Sequence, residues 1–290
     1  MSGTVISREA YGKINLGLDV LGRREDGYHL VRMIMQTVSV ADTLTFERTD
    51  EEGVLLKTDS EEIPDGEDNL VCRAAHIMQE AYDLPGGVKI TLTKRIPVAA
   101  GMAGGSTDAA AVFLGLRDLY GLDASDEALQ KLALPLGADI PYCILGGTRL
   151  AENIGEKLTA LPPAPACPLV IVKPDLFVST GWVYRKLDST DVQTKPDIDG
   201  LIQAIREQDV NKMALRCANV LEEVTAPEYP VITELEQLLM EAGALNARMT
   251  GSGPTVFALF DDTELRDEAL LRLRAHERFS KYQSYAAEFV

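Results

Sequence analysis

One glycine-rich segment constrains the fold of this chain more than any other feature of the sequence. Residues 97–108 read PVAAGMAGGSTD, and residues 108–120, which follow directly, are mostly small or apolar. The three glycines lack Cβ atoms, so the backbone can turn tightly there and approach a ligand closely. The apolar stretch predicts a helix that ends at Gly121, a residue suited to a left-handed helix stop. Because the first N–H groups of a helix are unpaired and carry a partial positive charge, the segment is a candidate anion site.

The segment does not match the best-known phosphate-binding sequences. No lysine follows the glycines, so it is not the GxxxxGK[ST] loop, and it is not GxGxxG either. A glycine-rich entrance to a helix also occurs as a tight packing turn. The hydroxyl of Ser106, at the start of the predicted helix, is a suitable ligand for Mg²⁺ beside a phosphate. From these residues alone, a phosphate loop and a packing turn both stay open.

Composition limits the classes of function. The 290 residues carry a net charge of −17, and no basic stripe typical of nucleic-acid-binding proteins is visible. No apolar run approaches the roughly 20 residues that a membrane-spanning helix needs, and the N-terminus does not resemble a signal peptide. The cysteines at 72, 143, 167 and 217 share no metal-ligand spacing, which indicates reduced thiols. These features predict a cytoplasmic protein with a small-molecule ligand, and neither a nucleic acid nor a membrane as partner.

Hydrophobic periodicity predicts a mixture of helices and strands. From Ala10 onward apolar and polar residues alternate, so Lys13 and Asn15 should lie on the same face of a strand. Further strands are predicted at 30–40, 44–46, 88–92, 169–172, 247–249, 256–260 and 281–289. Helices are predicted at 69–82, 108–120, 199–207, 209–221, 231–242 and 264–276, with another beginning after Ser125. The proline-rich stretch 161–168 predicts a boundary between domains at 1–162 and 163–290, and the class is α+β in two lobes.

Three segments, in order along nearly the full chain, resemble the three motifs of the GHMP kinases, the superfamily of galactokinase, homoserine, mevalonate and phosphomevalonate kinases. They are residues 10–16 (AYGKINL), 97–111 (PVAAGMAGGSTDAAA) and 249–255 (MTGSGPT). The resemblance implies a two-lobed GHMP kinase fold. Its N-terminal lobe would be ribosomal S5-like with a left-handed βαβ unit, which departs from the usual crossover rule. Its C-terminal lobe would be a ferredoxin-like α+β sandwich.

Within the superfamily, four stretches are most similar to the kinases that act on 4-diphosphocytidyl-2-C-methyl-D-erythritol. They are residues 13–16 (KINL), 23–29 (RREDGYH), 104–106 (GGS) and 137–141 (GADIP). The similarity implies transfer of the γ-phosphate of ATP, with Mg²⁺, to the 2-hydroxyl of the methylerythritol moiety. That reaction belongs to the non-mevalonate pathway of isoprenoid precursors.

The resemblance implies roles for individual residues. Asp139 would be the general base that takes the proton of the attacking hydroxyl, although an aspartate in such a loop commonly caps a turn. Lys13 would keep that carboxylate ionised and stabilise charge on the transferred group, although it could also be an ordinary solvated lysine. Asn15 would hydrogen-bond the diphosphate or the acceptor hydroxyl. His29 would hydrogen-bond cytosine.

The implied contact residues form three sets. ATP would be bound by Pro97, Val98, Ala99, Ala100, Gly101, Met102, Ala103, Gly104, Gly105, Ser106 and Thr107, with Asn69 and Lys94 beside the adenine or ribose. The acceptor would be bound by Asn15, Tyr28, His29, Met35, Thr180 and Tyr184. Gly251, Ser252 and Gly253 of the third motif would lie near the phosphates, and Ser106 would ligate the metal. Met35 stands where the family often has an aromatic residue that stacks on cytosine, and Tyr184 is the candidate for the opposite face of the base.

Two alternatives remain open at this point. One is another GHMP kinase, of the mevalonate or homoserine type, against which the segment DGYH (26–29) argues. The other is an RNA-binding protein, because the ribosomal S5-like fold also occurs in that class, although the net charge of −17 disfavours it. The oligomeric state, monomer or homodimer, is left open.

Overall fold

The computed structural model describes residues 4–193 and 195–290; residues 1–3, part of the segment examined for a signal peptide, and residue 194 lie outside the described residues. The strands are β1 (Val5–Arg23), β2 (His29–Thr49), β3 (Gly53–Thr58), β4 (Gly87–Thr93), β5 (Thr148–Asn153), β6 (Lys157–Ala160), β7 (Pro168–Lys173), β8 (Ala218–Asn219), β9 (Asn246–Met249), β10 (Val256–Leu259) and β11 (Gln283–Glu288). The helices are α1 (Leu70–Tyr82), α2 (Gly104–Tyr120), α3 (Asp126–Ala133), α4 (Ile140–Leu145), α5 (Thr180–Leu187), α6 (Ile198–Arg206), α7 (Val210–Arg216), α8 (Glu222–Glu228), α9 (Val231–Glu241) and α10 (Thr263–Ala275), with a 3₁₀ turn at Leu134–Leu136.

The chain forms two compact units, each assembled from separate segments. The first unit comprises the described part of Met1–Gly12, Val40–Val98 and Ala103–Gly146. The second comprises Lys13–Ser39, Ala99–Met102 and Gly147–Val290. The boundary expected after residue 162 remains a prediction. In the described part of the chain, no helix combines the length and apolar character needed to cross a membrane.

In the first unit, a sheet is covered by helices. The second half of β2 pairs antiparallel with β4, with Phe46 opposite Ile90, and β4 pairs in parallel with β3. Parallel neighbours need a crossover connection, and α1 supplies it between β3 and β4. Helix α2 packs against α1 and α4, and Phe113 and Leu116 on α2 are fully buried. The small residues of α2 therefore allow close packing at the place where the glycine-rich segment begins the helix.

Local hydrogen bonds and turns set the helix ends in the first unit, and the predicted cap at Ser125 and stop at Gly121 are confirmed. Asn69 caps α1, since its side chain accepts a hydrogen bond from Val71 N at 2.9 Å. Ser125 caps α3 by accepting from Ala128 N at 3.2 Å. Gly121 ends α2 in the left-handed conformation, with φ 63°. The two strands predicted at 30–40 and 44–46 are instead one continuous strand, β2.

In the second unit, an antiparallel sheet has the order β11-β7-β10-β9. Its central strands are buried on both faces, because residues 169–172 and 256–259 have no exposed surface, and α9 and α10 pack on it. The first half of β2 pairs with β5, and β1 pairs in parallel with the short strand β8. The helix predicted at 209–221 is shorter than expected, since the backbone becomes extended at Cys217 and continues as β8.

Candidate active site

The glycine-rich segment passes through three left-handed residues before the helix. Ala99, Gly101 and Ala103 have φ of 52°, 73° and 58°, and α2 begins at Gly104, four residues earlier than predicted. Left-handed alanines are uncommon and cost about 1–2 kcal/mol each, so the surrounding structure must hold them. Among the described residues, no side chain caps α2. The first N–H groups of α2 are therefore left for another partner, as an anion site requires.

The residues predicted to bind ATP in this segment differ in exposure. Ala99 and Gly105 are exposed, and Val98, Gly101, Ala103, Gly104 and Ser106 are half-buried. Pro97, Ala100, Met102 and Thr107 are buried. The hydroxyl of Thr107 donates to Tyr11 O at 2.6 Å, and its N–H donates to Ala103 O at 2.9 Å. Thr107 thus fixes the start of the helix, while the half-buried Ser106 is the hydroxyl that a ligand can reach.

Lys94 lies at the centre of a buried charged cluster, and its expected place beside adenine or ribose stays a prediction. Its Nζ is paired with Asp42 and with Asp108 Oδ2, the latter at 2.8 Å, and all three side chains are at most 8% exposed. Burial alone would lower the pKa of Lys94, but Asp108 and Asp42 raise it above its ordinary value. Burial also raises the pKa of Asp108 to about 8. A Cβ at Gly104 would lie 3.5 Å from Lys94 Nζ, so the cluster supports the start of α2 from inside the first unit.

Asn69 has a structural role. Its amide donates to Pro64 O at 2.6 Å, its oxygen accepts from Val71 N, and the residue is 8% exposed. The side chain of Asn69 thus makes one capping bond and one bond to Pro64 O, and its expected contact with adenine or ribose stays a prediction.

In the second unit, the third motif packs directly on the glycine-rich segment. A Cβ at Gly101 would lie 2.4 Å from Thr250 O, and a Cβ at Gly251 would lie 3.1 Å from Gly101 O. Both glycines also have positive φ, of 73° and 58°. Only residues without a side chain allow these two turns to touch, which explains glycine at both positions.

Lys13 and Asn15 lie side by side on β1, as the alternation predicted. Lys13 Nζ donates to Asn15 Oδ1 at 2.7 Å, and both side chains are buried, at 5% and 1% exposed. The backbone of this strand is tied to both glycine-rich motifs: Lys13 N donates to Met102 O at 3.1 Å, and Asn15 N donates to Thr250 Oγ1 at 3.0 Å. Lys13 is therefore a buried lysine whose amine is held by an amide oxygen, and not an ordinary solvated one.

His29 belongs to a second polar group of the same unit. Its Nε2 lies 2.7 Å from Asp188 Oδ1, and its ring centroid is 4.8 Å from that of Tyr184. The hydrogen bond from His29, together with the charge of Arg23, lowers the pKa of Asp188. An ionised carboxylate only accepts hydrogen bonds, so Nε2 donates to Asp188, and Nδ1 is the ring nitrogen that Asp188 does not engage.

The remaining residues predicted to bind the acceptor differ in environment. The side chain of Tyr28 is 60% exposed. Thr180 Oγ1 lies 2.9 Å from Ser252 Oγ and so joins the start of α5 to the third motif. Met35 is fully buried on β2, opposite Arg149 of β5. In this structure the side chain of Met35 lies in the core, and its expected packing on a base stays a prediction.

Asp139 precedes α4 in the first unit and is half-buried. It occupies the N-cap position, but its side chain makes no capping hydrogen bond; its backbone oxygen accepts from Cys143 N at 3.0 Å. The carboxylate of Asp139 therefore does not have the capping role that the sequence also allowed.

Sequence reasoning missed two carboxylates of these groups. Asp42 binds Lys94 across 52 residues of sequence, and Asp188 binds His29 across 159. Asp42 sits in an alternating strand pattern and Asp188 follows a short helix, so neither has a local signal. Only their burial or pairing in the fold identifies them.

Comparison with known proteins gives consistent matches. The model of the GHMP kinase N-terminal domain matches residues 69–147, and that of the GHMP kinase C-terminal domain matches residues 195–278. A 4-diphosphocytidyl-2-C-methyl-D-erythritol kinase of Lachnospira eligens is 52% identical over 259 residues, which cover 89% of this chain and 90% of that protein. The protein of the same name from Lachnoclostridium phytofermentans is 49% identical, with 91% of both chains covered.

Solved structures agree with these matches. A crystal structure of 4-(cytidine 5′-diphospho)-2C-methyl-D-erythritol kinase has a TM-score of 0.83 and 34% identity, covering 98% of this chain and 99% of that one. A homoserine kinase from Cytophaga hutchinsonii has a TM-score of 0.78 at 19% identity, covering 99% and 94%, and is alike in fold alone. The expected α+β GHMP kinase fold is confirmed.

Proposed function

This chain belongs to the family of 4-diphosphocytidyl-2-C-methyl-D-erythritol kinases within the GHMP kinases, and we propose on that basis that it transfers the γ-phosphate of ATP to the 2-hydroxyl of 4-diphosphocytidyl-2-C-methyl-D-erythritol. The observation that carries the donor half of the proposal is the uncapped start of α2 behind three left-handed residues. Such an arrangement supports binding of phosphate oxygens by backbone N–H groups. A metabolic kinase of this kind would act in the cytoplasm.

ATP would contact the accessible part of the glycine-rich segment, namely Val98, Ala99, Gly101 and residues 103–106. The half-buried hydroxyl of Ser106 fits Mg²⁺, because Mg²⁺ prefers oxygen ligands. Most of the other ligands of the ion would be phosphate oxygens and water. When bound, Mg²⁺ supplies positive charge that the phosphates need during transfer. The net charge of −17 makes such local neutralisation necessary.

The acceptor would be activated and held by side chains of this chain. Asp139 would accept the proton of the 2-hydroxyl at its carboxylate, since no capping bond occupies that group. Lys13, fixed by Asn15, would stabilise negative charge on the transferred group. His29, with Nε2–H donated to Asp188, would offer Nδ1 to the exocyclic amino group of cytosine, and Tyr184 would flank the base.

A panel of acceptors tests the proposed reaction. Purified protein is assayed for ATP turnover with the diphosphocytidyl compound, with mevalonate and with homoserine, each with and without Mg²⁺. We expect turnover with the first acceptor only, and only with Mg²⁺. Phosphorylation of mevalonate or homoserine, without phosphorylation of the cytidyl compound, would refute the choice of acceptor.

The role of His29 in recognising cytosine gives a separate prediction. Replacing His29 with alanine should raise KM for the cytidyl substrate about tenfold, because one hydrogen bond to the base is lost, with kcat nearly unchanged. The matched control is His76→Ala, since His76 also pairs with a carboxylate, Glu67, at 3.0 Å but lies on α1 of the first unit. An equal loss with an acceptor that lacks the cytidyl group would contradict a base contact at His29.

A further inference from the structure

The turn of the third motif is held by one buried amide that the sequence analysis did not single out. Asn219 is 3% exposed. Its Nδ2 donates to Met249 O at 2.9 Å and to Gly251 O at 2.8 Å, while its Oδ1 accepts from Leu221 N at 3.0 Å. Both N–H groups of the amide are thus used, one on the carbonyl of the residue before Thr250 and one on the carbonyl of the residue after it. The amide therefore sets the direction in which the chain leaves β9 and enters the turn.

Asn219 is itself fixed to the strand that carries Lys13 and Asn15. It lies on β8 opposite Leu18 of β1, and the following N–H, of Val220, donates to Leu18 O at 3.0 Å. The position of the amide is therefore set by backbone pairing and not by a flexible side chain. The two carbonyls that this amide binds are therefore held at a fixed position relative to β1.

The turn also supports two parts of the proposed site, Asn15 and the glycine-rich segment. Thr250, between the two bound carbonyls, accepts from Asn15 N through its hydroxyl at 3.0 Å. Thr250 and Gly251 also lie against Gly101 of the glycine-rich segment. A displacement of the turn would therefore also displace Gly101 and the backbone of Asn15.

We propose that Asn219 is a positioning residue of the phosphate-transfer site, which acts by fixing the turn 249–251 against Gly101 and Asn15. The proposal rests on the proposed function, since it takes the glycine-rich segment as the site of the ATP phosphates. Aspartate at 219 would have the same shape but would place one carboxylate oxygen, in the position of Nδ2, against two carbonyl oxygens, with no donor between them. The turn must then move, and a displacement of about 1 Å at a site of this kind can cost about 100-fold in rate.

The chain offers a matched control at the start of β9, the strand that leads into the turn 249–251. Asn246, at the start of β9, is 6% exposed, and its Nδ2 donates to Ala214 O at 2.6 Å and Cys217 O at 3.2 Å. Its Oδ1 accepts from Ala247 N at 2.9 Å. The two asparagines have the same bonding pattern and burial, but only Asn219 binds the third motif. Aspartate at either position should lower Tm, so stability alone does not separate them.

The test compares Asn219→Asp and Asn246→Asp with the unchanged protein, and adds Asn219→Ala, which removes the donors without adding a charge. Affinity for ATP with Mg²⁺ is measured by calorimetry, turnover by coupled assay, and both well below the Tm of each variant. We expect Asn219→Asp to raise the Kd for ATP about tenfold and to lower kcat/KM about 100-fold. Asn219→Ala should lie between it and the unchanged protein. Asn246→Asp should bind ATP within about twofold of the unchanged protein.

Each outcome decides the proposal. If both Asn219 variants bind ATP and turn over as Asn246→Asp does, Asn219 has only a structural role and the proposal is overturned. If Asn219→Asp does not fold, the Asn219→Ala comparison carries the same decision. If the unchanged protein binds ATP but does not phosphorylate the cytidyl compound, the proposed acceptor fails, while the comparison of ATP affinities still decides the role of Asn219. If it does not bind ATP, both proposals fail.

Discussion

Replacing Asp139 with asparagine is expected to lower kcat by about two to four orders of magnitude, with KM for either substrate changed by less than about threefold. Asparagine keeps the shape of the side chain but cannot accept the proton of the attacking hydroxyl. The carboxylate of Asp139 makes no capping bond to α4, so the substitution removes no interaction on which the helix depends. Steady-state kinetics with ATP and the cytidyl substrate measure the effect.

The control for Asp139 is an aspartate that does cap a helix. Asp209 caps α7, where its side chain accepts from Lys212 N at 2.9 Å. Asparagine caps helices about as well as aspartate, so Asp209→Asn should leave both kcat and Tm nearly unchanged. Turnover of Asp139→Asn close to that of Asp209→Asn would refute the assignment of Asp139 as base.

Local patterns predicted those parts of the fold that depend on local physics. The two-residue period of β1 placed Lys13 and Asn15 on one face, and their hydrogen bond confirms it. The cap at Ser125 was recognised because a capping side chain lies within three residues of its partner. Signals of this kind are short in range, so a single sequence contains them.

The sequence was least informative where tertiary packing decides the environment of a residue. Met35 was expected to face a base because of its place in a motif, but pairing of β2 with β5 puts it in the core. Lys94 was expected beside adenine, but Asp42, 52 residues away, draws it into a buried cluster. Helix α2 was expected to begin at Asp108, but it begins at Gly104, because left-handed alanines at 99 and 103 turn the chain earlier. None of these outcomes follows from propensity, because each depends on a contact distant in sequence.

The site showed the same division. The two glycine-rich motifs and Lys13 could be identified from the sequence, because backbone that touches backbone requires glycine and because Lys13 lies in a segment that resembles the first GHMP kinase motif. Asn219 could not, although it holds the third motif, because buried asparagine has no distinctive local pattern. Its importance is visible only in the two carbonyls that its amide binds.

Replacing Lys13 with methionine is expected to lower kcat by about 100- to 1,000-fold while leaving Tm unchanged or raised. Methionine fills a similar apolar volume but removes the charge that would stabilise the transferred phosphoryl group. Lys13 is 5% exposed and its Nζ donates to the neutral Asn15 Oδ1. Keeping a charge there is costly to the fold, so its removal relieves a desolvation penalty. Kinetics and thermal denaturation on the same samples measure the two effects.

Lys94→Met is the informative contrast, because Lys94 is the other buried lysine described above. Its Nζ pairs with Asp42 and Asp108, so its loss leaves these two buried acidic side chains without a cation, at a cost of about 3–5 kcal/mol. Lys94→Met should therefore lower Tm markedly, whereas Lys13→Met should not. If Lys13→Met also unfolds at lower temperature and keeps its turnover when folded, Lys13 is a structural lysine and not the cation of the reaction. A loss of kcat at unchanged Tm would instead mean that the fold tolerates this buried charge because the reaction needs it.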